Sequence, residues 1–230
     1  MIVEGLRSEI REGVAVLRLD DGKANALSPA RVAALGKALD DAEAHAGAVL
    51  LTGREGRFSA GFDLATLREG PEAGRALVRA GGELALRLYS LPIPVVIACT
   101  GHAIAMGAVL LFSGDLRLGA RGDFKIGLNE VSIGMSLPAF ALELAQARLS
   151  KRHFDRAVLQ GQMYDPDGAV DAGYLDVCCA PSQLEERALA EASRLAALPA
   201  RAYAGIKSRT RNVSVTRVLD GIEADLVELF

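Results

Sequence analysis

From Leu88 to Gly114 the chain carries no Asp, Glu, Lys or Arg, and His102 is the one residue there whose ordinary pKa lets it carry charge near neutral pH. A run of this length has two physical outlets, a bilayer span or a segment enclosed by protein. Pro92, Pro94 and the Thr100-Gly101-His102 break would interrupt a spanning helix near its start and its middle. The run therefore reads as a buried strand (VVIAC, 95–99), a turn (TGHAIA, 100–105) and a helix (MGAVLLFS, 106–113) that is apolar on nearly every face. Such a helix needs cover from all directions.

The remaining segments supply that cover. Residues 2–10 and 14–20 read as two strands of a hairpin around Glu12-Gly13. Ser28-Pro29 is an N-cap and first-turn signature for a helix over 29–46. Ala48–Thr52 is a short apolar strand, residues 54–70 are glycine-rich and then helical, and residues 72–90 form an amphipathic helix. DLRLGA (115–120) is another strand, and after about residue 137 only Leu175–Cys178 offers one more. Apolar strands without polar alternation, separated by helices, define an α/β fold with a sheet covered on both faces. The composition shift near residues 195–200 marks at most a helical appendage, so a core domain over 1–195 and a C-terminal helical segment over 196–230 are expected.

With 230 residues, 50% hydrophobic and 24% charged, the chain buries roughly 70% of its unfolded surface and needs no staples. Its three cysteines, two of them adjacent at Cys178 and Cys179, make no disulfide framework and fit a reducing compartment. The N-terminal stretch has early acids and no apolar h-region, so the cytoplasm is expected. A net charge of −3 exerts no overall pull on nucleic acid or membrane, and neither partner is expected. No metal is expected, because His45, His102, His153 and the cysteines never approach ligand spacing. Dinucleotide binding lacks its glycine fingerprint, and a serine nucleophile elbow around Ser59 fails at Arg57, where it requires glycine.

Three places depart from what packing alone would choose. Phe58–Asp63 (FSAGFD) joins a strand to a helix through small residues, and Gly101–Gly107 (GHAIAMG) does the same. Helix-start N–H groups at two such elbows, aimed at one point, would form an oxyanion hole. The plain alternatives are ordinary turns, with His102 a core histidine bonded to backbone. The third place is Glu130, set among Val131, Ile133, Met135 and Leu137. Lost hydration there would raise its pKa and make it a proton acceptor, whereas a surface loop acid is the alternative.

These residues carry a resemblance. FSAGFDL and GHAIAMGAVLLFSGDLRLGA are similar to the two oxyanion segments of the crotonase (enoyl-CoA hydratase/isomerase) superfamily, with Asp115 at that family's aspartate. AVLQGQMYDPDGAVDAGYLDVC resembles a later family stretch, and the likeness runs from about residue 5 to about residue 210. It implies a crotonase-like (ClpP/crotonase) spiral of β-β-α units with a C-terminal helical segment. It also implies an acyl-CoA substrate, with coenzyme A part of the substrate and no separate cofactor, and a homotrimer or hexamer.

By the same resemblance the catalytic residues are Glu130 and the backbone N–H groups of Phe62 and Met106. Ala24, Ala60, Gly61, Asp63 and Gly107 would contact substrate, and Lys207, with Arg209 and Arg211, would meet CoA phosphates unless that patch is an ordinary solvated face. Hydratases of the family use two glutamates, and the first position here is Val109. The setting IGLNE around Glu130 resembles the 3,2-enoyl-CoA isomerases, so double-bond migration with one acid is favoured and hydration is the alternative. A non-catalytic, RNA-binding role for the basic cluster from Arg201 to Arg217 is the alternative from another class. Val213, Val215, Val218, Leu219 and Ile222 would suit subunit contact.

Overall fold

The computed structural model describes residues 2–3 and 5–229. Glu4 within the expected first strand, and Met1 and Phe230 at the domain limits, lie outside the described residues. The chain opens with β1 (Ile2–Val3), β2 (Leu6–Arg11) and β3 (Val14–Leu19), all antiparallel neighbours. Glu12 and Gly13 both take positive φ, 52° and 76°, as a two-residue hairpin turn matched to strand twist requires. Helix α1 (Pro29–His45) starts where Ser28 caps it, its Oγ accepting the Arg31 N–H at 3.3 Å.

From here the chain winds as a spiral whose turns repeat one order: a strand in a large sheet, a strand in a small sheet, then a helix. The first full turn is β4 (Ala48–Thr52), β5 (Gly56–Ser59), α2 (Leu64–Arg68) and α3 (Pro71–Ser90). The second is β6 (Val95–Cys99), β7 (Gly101–Ile104) and α4 (Met106–Ser113). The third is β8 (Leu116–Ala120), β9 (Ile126–Gly127) and α5 (Ala139–Arg148), followed by α6 (Lys151–Val158), α7 (Pro166–Ala172), β10 (Val177–Cys179), α8 (Pro181–Ala196) and α9 (Ala200–Leu229). The large sheet has the order β1-β2-β3-β4-β6-β8-β10 and is parallel from β3 onward, while β5-β7-β9 form a parallel small sheet. The segment TGHAIA is thus not only a turn: its residues Gly101–Ile104 form β7, the middle strand of the small sheet.

From β3 to β10 both faces of the large sheet are covered, which explains the mostly apolar strands there, while β2 at its margin is largely exposed. Leu17, Val49, Leu51 and Ile97 face the main core, while Val16, Leu50, Val96 and Ala98 face α8 through Leu184, Ala188 and Ala192. All eight residues of α4 are buried. At about 1.5–3 kcal/mol for each large apolar side chain, enclosure rather than intrinsic propensity sustains so short a helix.

Helix α9 belongs to this same core rather than standing apart from it. Val215, Val218, Ile222 and Leu226 are buried with the central residues of the domain, so three of the five positions expected at a subunit contact are spent inside the chain. Only Val213 and Leu219 of that group are exposed. Asp225 caps α5 by accepting the Ala139 N–H at 2.8 Å, Glu223 pairs with Arg79 of α3, and Glu143 of α5 stands 3.7 Å from Arg217. Among the described residues no helix is long and apolar enough to cross a membrane.

Candidate active site

The first elbow leaves β5 at Ser59 and enters α2 at Leu64. Gly61 takes φ 93°, which excludes most side chains. Its carbonyl accepts the Leu27 N–H at 2.8 Å, and Leu27 O accepts the Asp63 N–H at 3.1 Å. A trans peptide is planar, so a Gly61 carbonyl held toward Leu27 sends the Phe62 N–H the opposite way.

The second elbow turns from β7 into α4 at Ala105, a non-glycine residue at φ 53°, ψ −126°. Backbone in this sparsely populated region persists only where its surroundings hold it. The Ala105 N–H donates to Gly127 O at 3.0 Å, and its carbonyl accepts the N–H groups of Ala108 and Val109 at 2.8 and 3.1 Å. With that carbonyl turned into the helix, the Met106 N–H projects out of the helix N-terminus.

The two elbows press against one another. A Cβ placed on Gly61 would stand 3.0 Å from Ala105 Cβ, 3.1 Å from Ile104 O and 3.2 Å from Met106 N, and one on Gly107 would overlap Ser59 O. Neither the Phe62 nor the Met106 N–H donates to an acceptor among the described residues. An oxygen carrying negative charge beside both residues would meet two donors with no competing partner.

Phe62 and Met106 line a cavity of about 230 Å³ whose apolar walls are Leu67, Val78, Val109, Pro138, Phe140, Ala141 and Leu229. Glu130 enters it from the short 3₁₀ turn that follows β9. Glu130 Oε2 is buried and has no hydrogen-bond partner among the described residues. Burial pushes its carboxyl above the ordinary 4.5, against a smaller opposing pull from nearby backbone N–H groups. The expected cause needs correction, however, since Val131, Ile133 and Met135 are 46%, 57% and 42% exposed. Of those three only Met135 lines the cavity, which Glu130 shares also with Val109 of α4 and Phe140 of α5. Glu228, from the last turns of α9, also lines the cavity, and sequence reasoning missed this exposed second carboxylate.

Several expected substrate contacts are otherwise engaged. Asp63 caps α2: its Oδ2 accepts both the N–H and the hydroxyl of Thr66, at 3.1 and 2.9 Å, which holds its carboxyl below the usual range. The Ala60 N–H donates to Ala24 O at 3.0 Å, so these two backbone groups satisfy each other. Gly107 permits the close approach of α4 to Ser59. Lys207 is 5% exposed and its Nζ lies 2.6 Å from Asp115 Oδ2 and 3.1 Å from Ile93 O. Arg211 also pairs with Asp115, at 2.6 Å, and lies over the Tyr89 ring. Lys207 and Arg211 therefore anchor α9 to the core, and only Arg209 of the expected phosphate patch is exposed. His102 is bound to backbone, its Nδ1 accepting the Lys125 N–H at 3.0 Å.

Two nested sheets, paired strand-to-helix elbows and a β-β-α spiral make this the crotonase fold. A sequence profile described as enoyl-CoA hydratase/isomerase matches residues 9–227, and the chain belongs to that family of enzymes. It is 28% identical to human mitochondrial enoyl-CoA delta isomerase 1 over 93% of this chain and 72% of that protein. It is 36% identical to a putative enoyl-CoA hydratase of Thermus thermophilus over 80% of this chain and 74% of that protein. Among solved structures, an apo enoyl-CoA isomerase of Mycobacterium tuberculosis superposes with a TM-score of 0.93 at 39% identity, covering 99% of both chains.

Proposed function

We propose that this enzyme moves a carbon–carbon double bond along an acyl-CoA chain, converting a 3-enoyl thioester to the 2-enoyl thioester with Glu130 as its one acid–base group. The thioester oxygen would accept hydrogen bonds from the Phe62 and Met106 N–H groups. Glu130 takes a proton from C2, negative charge spreads onto the thioester oxygen as a dienolate, and the same carboxyl returns the proton to C4. One group facing one side of the ligand serves both carbons, and no water enters the balance.

The observation that carries this reading is the buried Oε2 of Glu130, without a partner among the described residues, in a cavity also lined by Phe62 and Met106, whose N–H groups have no acceptor among those residues. Val109, 1% exposed, stands where a hydratase would place its other acid, and a valine can neither hold nor activate water. The resemblance of IGLNE to isomerase sequences supports it further.

Hydration is the second reading, and Glu228 is what favours it, since a second carboxylate on the cavity wall is a group that can hold water. Parallel assays with 3-enoyl-CoA and 2-enoyl-CoA separate the two. Isomerisation is expected to dominate, to survive Glu228→Gln within about twofold, and to rise with pH through a pKa above 4.5, because the base acts deprotonated. Addition of water that is lost in Glu228→Gln would instead establish the hydratase.

A further inference from the structure

Asn25 and Ser59 play no part in the chemistry above, yet both are fully buried polar residues at the root of the first elbow. Asn25 sits at φ 53°, a left-handed conformation that Asn tolerates better than most residues. Its Nδ2 donates to Leu19 O, Arg57 O and Phe58 O at 2.9, 3.0 and 3.2 Å, and its Oδ1 accepts the Asp21 N–H at 3.0 Å. It thereby ties the end of β3 to the end of β5. Ser59 Oγ donates to Asn25 O at 2.8 Å and accepts the Gly61 N–H at 3.2 Å.

These bonds bear on the direction of one catalytic donor. The Gly61 N–H is held by Ser59 and the Gly61 carbonyl by Leu27, two residues beyond Asn25, so both peptide planes flanking Gly61 are clamped. Glycine at φ 93° has no Cβ to restrict it, and without the clamp the 61–62 peptide could rotate and turn the Phe62 N–H away from the cavity. We infer that Asn25 and Ser59 are positioning residues: a buried hydrogen-bonded brace that sets the direction of the Phe62 N–H. The inference rests on the reading of that N–H as a thioester oxygen donor.

Ser59→Ala tests it, because the change removes one hydroxyl and adds no volume. The control is Thr52→Val, which removes a buried hydroxyl bonded to Ala98 O at 3.3 Å in the large sheet. Each variant is assayed on the enoyl-CoA thioester the wild-type enzyme turns over, and the C=O stretching frequency of a bound acyl-CoA is measured by infrared difference spectroscopy. A misdirected donor is expected to lower kcat about 10- to 100-fold in Ser59→Ala with KM little changed. The downward shift of the thioester stretch should shrink in Ser59→Ala, while Thr52→Val keeps wild-type kcat and frequency. Wild-type kcat and frequency in folded Ser59→Ala would overturn the brace and leave the oxyanion reading standing. Absence of any carbonyl shift in the wild-type complex would overturn the oxyanion reading, and the brace with it.

Discussion

Glu130→Gln is expected to lower kcat for double-bond migration by about 10²- to 10⁴-fold while leaving KM nearly unchanged. Glutamine keeps the size and polarity of the side chain but cannot accept the C2 proton, so binding in the cavity of about 230 Å³ should persist. The same variant should not be less stable than wild type at neutral pH. The folded-state pKa of Glu130 is raised, so between 4.5 and that higher value the folded protein binds more protons than the unfolded chain. This group's contribution is therefore fully present below 4.5 and is lost as pH rises through the folded value. Glutamine carries no charge and removes that loss. Steady-state kinetics with thermal melts across that pH window check both halves. A variant with wild-type kcat, or one that melts far below wild type at pH 7, would contradict the role given to this carboxyl.

Gly61→Ala should be comparably damaging from the other side of the cavity, with kcat falling about 10²- to 10³-fold, the cost of losing one oxyanion donor. The added methyl meets Ala105 Cβ at 3.0 Å, Ile104 O at 3.1 Å and Met106 N at 3.2 Å, so both elbows must part to admit it. The residue also sits at φ 93°, a conformation costing a side-chain-bearing residue of order 1–3 kcal/mol. Both effects act on the backbone that aims the two donors, and relaxation of either elbow moves an N–H. Kinetics on 3-enoyl-CoA, with circular dichroism to establish folding, give the measurement. A folded Gly61→Ala enzyme with unaltered kcat would mean that the elbows do not act together on the thioester.

Residue by residue, what was legible depended on whether a signal was local. Helix α4 and strand β6 fall at the expected residues because a segment apolar on every face has few alternatives. Strand β7 reads as a turn because its four residues, GHAI, show no run of β-branched side chains, and their pairing with β5 and β9 depends on chain more than 20 residues away. Glu130 stands out in the sequence as an acid among apolar residues, but Val131 and Ile133 are exposed, and Val109 and Phe140, which share its cavity, carry no mark in the sequence of facing it. Lys207 read as a surface cation because nothing local reveals that Asp115, 92 residues earlier, lies beside it. Asn25 carries no local signal beside Ala24 for the same reason: its left-handed backbone and its bonds to β5 exist only once the spiral has closed. Val213, Val215, Val218, Leu219 and Ile222 read as positions for a subunit contact, but Val215, Val218 and Ile222 pack with Leu226 into the chain's own core, a partner that helical spacing alone does not identify.

The claim on which the mechanism depends is that one carboxyl carries a proton from C2 to C4 while backbone donors hold the thioester oxygen. A 3-enoyl-CoA deuterated at C2, turned over in ordinary water and analysed by mass spectrometry and NMR, tests it most directly. Deuterium appearing at C4 of the 2-enoyl product is the expected result, since the proposed carboxyl keeps the abstracted deuteron on a buried Oε2, which has no hydrogen-bond partner among the described residues, until it returns it to C4. A product whose new C4 hydrogen comes entirely from water, or one bearing a hydroxyl at C3, would contradict it.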